Sequence, residues 1–340
     1  MKRILQPLLG VILFSGIAFS QNTETFHIVS YNVENLFDIN DDEQKIDEDF
    51  TPDGKNKWTE DRYNKKLEDL AKVFTSIKPE FPEIISLIEI ENKKVLKDLT
   101  QKTILNNAGY NIIHEESPDI RGIDVALLYK KNSFQEISHL AIPINFPFDK
   151  EAKTRDILYV TGIIANIDTV HIFINHWPSR RGGLEKSEPK RTFVASVLRQ
   201  HVDSILSLNI HAKIIIMGDF NDNPVDKSVF EVLMANNIRA GFNKNYLFNL
   251  FFDTYNIEGN GSYLYRNSYN MLDHIILSQS FFKSNNFRTT FDSGIIYTPD
   301  WLCNKNNDIK EPLRTYKGTN YIGGYSDHFP VYFVLTKSTD

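Results

Sequence analysis

The sequence predicts a layered α/β protein, and three observations carry that expectation. Short apolar segments of β type recur along the 340-residue chain and are interrupted by a few stretches of helical period. Several of the β-type segments are apolar without alternation, as strands covered on both faces are. A hydrophobic content of 41% over this length suffices for one large core. That core must carry the stability alone, because Cys303 is the only cysteine and no intrachain disulfide can form.

Taken in order, residues 1–20 read as a signal peptide. Lys2 and Arg3 give a basic start, residues 8–18 are almost wholly apolar, and Ala18-Phe19-Ser20 offers small residues before Gln21. The apolar stretch is short for a membrane span. The expectation is export to the periplasm or the outside, with one domain over residues 24–338 and no stable membrane insertion once the leader is removed. Residues 26–31 and 84–90 read as the first two strands. Residues 125–129, 158–167, 170–175, 214–217, 272–277 and 331–335 are the other strong candidates. Tyr63, Leu67, Leu70, Phe74 and Ile77 mark one face of a helix. Val95, Leu96 and Leu99 begin a second after Asn92, and Val194, Val197, Leu198 and Ile205 mark a third, opened by Pro189.

Residues 38–58 break the pattern, being acidic, turn-rich and without period, which predicts a long surface loop. Asp38-Ile39-Asn40-Asp41-Asp42 matches the start of an EF-hand only superficially. Glu43 stands where that loop needs Gly, and Asp49 where it needs a bidentate Glu. An additional structural cation in this loop remains an expectation.

Charge narrows the partners. The chain has 38 basic and 44 acidic residues, and without Lys2 and Arg3 the net charge falls from −6 to −8. Bulk attraction to a polyanion is thereby excluded, so phosphate binding must be local, through a few Arg or Lys or through a metal cation.

Polar groups are delivered at six strand ends. The first strand ends in Asn32-Val33-Glu34-Asn35, where alternation sends Asn32 and Glu34 to one face. The second carries Glu89, on the parity of Ile85 and Leu87, followed by Glu91 as an alternative acid. The fifth ends in Asn175-His176-Trp177-Pro178-Ser179-Arg180-Arg181-Gly182-Gly183. Then come Gly218-Asp219-Phe220-Asn221-Asp222, Met271-Leu272-Asp273-His274-Ile275 and Gly324-Tyr325-Ser326-Asp327-His328-Phe329-Pro330. His274 alternates away from Asp273.

In these motifs, in this order, the chain resembles the endonuclease/exonuclease/phosphatase family, to which pancreatic-type deoxyribonuclease, abasic-site endonucleases, neutral sphingomyelinases and inositol-polyphosphate 5-phosphatases belong. The resemblance implies an α/β, four-layered sandwich of two packed mixed β-sheets flanked by helices. It also implies a phosphoesterase dependent on Mg²⁺ or Mn²⁺, with Glu89 as the main metal ligand and Asn32, Glu34 and Asp327 completing or supporting its shell. His328 would activate water or shield the phosphorane, oriented by Asp273. Asp219 and Asn221 would position water and the scissile phosphate, and which of Asp219 and His328 takes the proton stays open. His176 would contact phosphate or the leaving oxygen. Arg121, Arg180 and Arg181 are candidates to grip the substrate.

An endonuclease acting on nucleic acid is the leading expectation, through the deoxyribonuclease-like His176. A phosphatase or sphingomyelinase-like enzyme acting on a lipid or small-molecule sugar phosphate is the alternative. Gly261-Ser262-Tyr263-Leu264-Tyr265 loosely resembles the stretch before the Asp-Arg motif of inositol-phosphate phosphatases, with His274 in place of that Arg. A non-catalytic binding protein on the same fold would be expected to lack one of Glu89, Asp219, Asp273 and His328. All four are present.

Overall fold

The computed structural model describes residues 24–239, 243, 245–284, 286–304 and 309–337. The leader expected over residues 1–20, and residue 338 at the expected domain end, lie outside the described residues. The first half of the chain builds β1 (Thr25–Leu36), α1 (Glu60–Ile77), β2 (Ile84–Ile90), α2 (Lys93–Lys102), β3 (Tyr110–His114) and β4 (Asp124–Lys130). The second half builds β5 (Phe134–Ile142), β6 (Ile157–Ile164), β7 (Asp168–His176), α3 (Leu184–Leu208), β8 (Lys213–Asp219), β9 (Ala235–Asn236), β10 (Leu247–Asn249) and α4 (Phe252–Asn256). A hairpin of β11 (Tyr263–Tyr265) and β12 (Ser268–Asn270) then precedes β13 (Asp273–Ser278). The chain closes with β14 (Phe287–Arg288), β15 (Ile295–Ile296), the pair β16 (Tyr316–Lys317) and β17 (Asn320–Tyr321), and β18 (Val331–Lys337).

Two mixed sheets result. One runs β14-β18-β1-β2-β4-β3 with β15 beside β18, and the other runs β5-β6-β7-β8-β13-β10-β9. They pack face to face through Ile28, Ile84, Ile88 and Leu127 on one side and Val160, Ile172, Ile215 and Ile275 on the other. α1 and α2 cover the outer face of the first sheet, and α3 that of the second. The continuous apolar strands are therefore explained by a sheet partner on one face and a helix on the other. α2 starts as expected, with the Asn92 side chain accepting from the Lys94 and Val95 amides. α3 departs from expectation: it opens at Leu184, and Pro189 lies inside its second turn rather than at its start. β3 and β5 were not anticipated. β5 exposes a run of residues along its length and so lacks the apolar signature of the central strands.

β1 and β2 are parallel, as are β7 and β8, so their C-terminal ends share one end of the sandwich. β13 and β18 run antiparallel to β8 and β1, and bring their N-terminal ends to the same place. This topology gathers the polar strand ends. No helix among the described residues is long and apolar enough to cross a membrane.

Candidate active site

His176, Asp219 and Asp273 stand in one row across the second sheet, because register pairs His176 with Asp219 and Asp219 with Asp273. β8 approaches β7 closely at Gly218, whose φ is +132°; a Cβ there would lie 2.0 Å from the Asn175 carbonyl oxygen. Facing the row are Glu89 and the 326–328 segment, around a cleft of about 660 Å³ lined by Glu89, His176, Asp219, Asn221, Asp327 and His328. Five of the six polar strand ends thus contribute to the lining of one space, and the sixth reaches it through the hydrogen bond from Asn32 to Asp219.

Asp219 is the hub. Its Oδ1 accepts the Asn221 amide at 2.8 Å, and its Oδ2 accepts Asn32 Nδ2 at 3.1 Å. The Nε2 atoms of His176 and His328 lie 3.8 and 3.9 Å from that same Oδ2. His328 Nδ1 sits 2.6 Å from Asp273 Oδ2, which also accepts the Ser262 hydroxyl at 2.6 Å. Asp273 thereby fixes which ring nitrogen faces the cleft. Asn221, with φ +51°, donates its Nδ2 to the Trp177 carbonyl at 3.0 Å, so it ties the two loops on that side together.

The first sheet delivers its residues differently. Ile88 packs between the sheets while Ile90 packs under the helices, so alternation slips at Glu89, where φ is +68° and the β2–β4 register shifts. The parity argument placed Glu89 with Ile85 and Leu87, which in fact face α1 and α2; the bulge turns Glu89 into the cleft instead. Its Oε2 accepts the Asn35 amide at 3.0 Å, and Oε1 lies 3.8 Å from His176 Nε2. A second irregularity, at Glu34 (φ +52°) and Asn35 (φ +56°), breaks the expected pairing of Asn32 and Glu34 on one face.

This corrects the expected ligand shell. Both Glu34 oxygens accept backbone amides, from Thr315 at 2.6 Å and Tyr316 at 3.3 Å. Asn32 bridges the Glu34 amide and Asp219. Among the described residues, the Asp327 carboxylate has no hydrogen-bond or ion-pair partner, yet it lies within electrostatic reach of Glu89. Two like charges facing an open cleft, with oxygen donors only, fit a hard divalent cation. Glu91, the alternative acid, accepts the Asp38 amide and lies beside residues 38–44, outside this cleft. Among the described residues, no three of the acids of residues 38–58 converge to a common coordination distance, and Asp38 is engaged with Asn40 and Lys94.

The adjacent arginines part company. Arg180 donates to the Asn221 carbonyl at 2.7 Å and Asn270 at 3.0 Å, and pairs with Asp226 at 2.6 Å. It lines the cleft as expected, but with its guanidinium turned to holding the 221–226 loop. Arg181 is exposed at the rim. Arg121 also lines the cleft, with its guanidinium held by Asp119 at 3.1 Å. His274 is buried against Asn249 and the Asp222 carbonyl, away from the cleft, as alternation required.

Three positioning residues escaped the sequence reading. Buried Arg155 donates to the His176 carbonyl at 3.1 Å while paired to Asp119 at 3.0 Å. Ser262 steadies Asp273. Lys66, on the buried face of α1, donates to the Thr315 hydroxyl at 2.6 Å and the Tyr325 carbonyl at 2.5 Å, just upstream of Asp327. Lys66 falls at helical spacing from Tyr63 and Leu70, the one local signal that it faces inward. Tyr263 adds a ring 4.9 Å from that of His328, whereas Phe248 and Phe251 are core.

Burial and charge set the protonation pattern. Burial alone would depress His328, but the Asp273 carboxylate, with Asp219 and Asp327 behind it, holds its pKa well above the ordinary value. Burial pushes Asp219 up to about 7, against the pull of His328. Burial, reinforced by the Arg155 and Arg121 cations, holds His176 well below its ordinary value. Near neutrality the cleft thus contains an imidazolium, a neutral imidazole and a carboxyl poised to exchange a proton.

A family model described as Endonuclease/Exonuclease/phosphatase family matches residues 27–337. Truncated TDP2 from Caenorhabditis elegans is similar in fold, with a TM-score of 0.56 and 14% identity over 92% of this chain and 98% of that one. TDP2 from D. rerio, complexed with single strand DNA product, gives 0.55 and 14% over 92% and 98%. The human Nocturnin catalytic domain with bound sulfate anion gives 0.55 and 16% over 93% and 98%. No curated protein matches the chain.

Proposed function

Because the chain belongs to the endonuclease/exonuclease/phosphatase family, we propose that it is a divalent-cation-dependent phosphodiesterase acting on nucleic acid. The observation that carries this reading is the convergence of the His176–Asp219–Asp273 row with His328, Glu89 and Asp327 around one cleft. Glu89 and Asp327 would hold Mg²⁺ or Mn²⁺, with Asn32 and Glu34 fixing the backbone around them. Such an ion supplies charge relief on the phosphoryl and leaving oxygens.

The protein's own residues do the rest. Asp219, flanked by the Asn32 amide and its own loop, orients a water and accepts its proton, which a carboxyl near pKa 7 does readily. His328, kept cationic by Asp273, donates from Nε2 to a nonbridging oxygen as charge builds. His176, neutral, places its Nε2 between Glu89 and Asp219 and donates a hydrogen bond to the phosphate. Asn221 supplies a further polar contact from the loop that Arg180 clamps.

What supports nucleic acid over a small phosphate ester is the ground beside the cleft. A second hollow of about 930 Å³ adjoins it through Arg121 and Arg181, and is lined by Phe50, Phe146, Phe148, Lys153 and Lys186. Of these rings only Phe148 is exposed, and cations around one exposed ring suit an extended single strand with a base stacked there. The bound single-strand product in the D. rerio structure points the same way. We also propose export through the leader at residues 1–20, with one domain over residues 24–338. To test the substrate, purified protein with Mg²⁺ is incubated with single- and double-stranded DNA, RNA, sphingomyelin and a phosphomonoester panel. Cleavage of nucleic acid is expected; release of choline phosphate or inorganic phosphate with both nucleic acids intact would overturn it.

A further inference from the structure

A group of side chains outside the cleft has the makings of a second ion site. His114 ends β3, Asp124 opens β4, and Glu116 lies in the loop between them. Because His114 pairs with Ala126, His114 and Asp124 share one face of this antiparallel pair. One ligand atom from each of the three lies within 4.8 Å of the others. The side chains of His114 and Asp124 are only 2% and 1% exposed. Even so, His114 Nε2 and Asp124 Oδ2 are each buried without a hydrogen-bond partner. Two unsatisfied polar atoms aimed at one point are costly unless something sits there.

The spacing says what would fit. Nε2 and Oδ2 are 3.5 Å apart, long for a hydrogen bond between a buried imidazole and carboxylate. Two ligands about 2.1 Å from a tetrahedral cation are about 3.4 Å apart, and a mixed N/O donor set suits Zn²⁺ better than Mg²⁺. Glu116 brings a second carboxylate against Asp124, a repulsion that a cation would relieve.

We propose that His114, Glu116 and Asp124 form a structural site for Zn²⁺ or a similar borderline divalent ion, with solvent completing the shell. Its consequence would be felt in the cleft. Asp124 pairs with Ile90, the neighbour of Glu89, and its Oδ1 accepts the Ser117 amide at 3.0 Å. The same loop carries Asp119, which holds Arg155 and through it the His176 carbonyl. An ion at the base of this loop braces it.

The test needs no turnover, so its outcome is separate from whether the cleft hydrolyses phosphodiesters. Chelator-stripped full-length protein, H114A and E116Q are titrated with Zn²⁺ and with Co²⁺, reading bound metal per chain and the visible Co²⁺ spectrum. Wild type is expected to take up Zn²⁺ and show tetrahedral Co²⁺ bands, with affinity at least tenfold weaker in both variants. E116Q removes an exposed group, so it carries the test if H114A does not fold. Equal Zn²⁺ uptake by wild type and E116Q, or no tetrahedral Co²⁺ spectrum in wild type, would overturn the proposal.

Discussion

The two walls of the cleft are built by opposite means. The second sheet delivers His176, Asp219 and Asp273 by keeping register, on adjacent strands. The first sheet delivers Glu89 and anchors Glu34 by breaking register, at positions with φ of +68° and +52° that cost conformational energy in residues other than glycine. On the function proposed above, the difference follows from the tasks. Proton-handling groups need fixed mutual distances, which a row of strands provides. Cation ligands must reach beyond the sheet edge, and a bulge turns a side chain out of the pleat.

Breaking the register-held wall should cost most. Asp219→Asn keeps the shape and removes the proton acceptor, so kcat should fall by about 10³-fold. Steady-state hydrolysis checks this, and a loss below tenfold would mean that this wall does not handle the proton. Glu89→Gln attacks the bulged wall. Activity is expected to drop about 10²-fold at submillimolar Mg²⁺ and to recover partly as Mg²⁺ rises, because one ligand of the ion is weakened rather than the acid–base pair. A loss that ignores Mg²⁺ concentration would assign Glu89 to another role.

Asp273→Asn sharpens the comparison through pH. In the wild type, activity should rise with pH as Asp219 ionises through about 7. It should fall again only where His328, raised by Asp273, loses its proton. Removing that carboxylate lowers the His328 pKa, so the alkaline limb moves to lower pH with a ten- to hundredfold loss at the optimum. An unmoved alkaline limb in the kcat/KM profile would separate His328 from Asp273. The smallest effect is expected at the rim. Arg181→Ala should raise KM a few-fold and weaken its salt dependence with Tm unchanged. Arg180→Ala, one residue away, should lower stability by about 1–3 kcal/mol, because it strips partners from buried Asp222 and the Asn221 carbonyl.

Most of the frame was legible in the sequence. Apolar runs located residues 84–90 as β2 without error, and the acidic strand ends named the residues that meet in the cleft. The second wall was readable because register there is regular and parity survives to the strand end. The resemblance pointed to Glu89, which the structure places in the cleft, but its face was misjudged, since a bulge leaves no mark in an alternation of Ile and Leu. The engagement of Glu34 and Arg180 by protein partners was missed for a related reason. Their partners, Thr315 and Asp226, are far away in sequence or on an unseen loop, so nothing local shows that their polar atoms are already engaged. Arg155 shares that invisibility.

The central claim is that these converged groups, with a hard divalent ion, displace an ester oxygen from a phosphodiester. The most direct measurement is hydrolysis of bis(4-nitrophenyl) phosphate by wild type and His328→Ala, first in excess chelator and then after adding Mg²⁺ or Mn²⁺. The account predicts background rates in chelator, recovery with either ion in wild type, and little recovery in His328→Ala. Hydrolysis that persists in chelator, or is equal in His328→Ala, would contradict it.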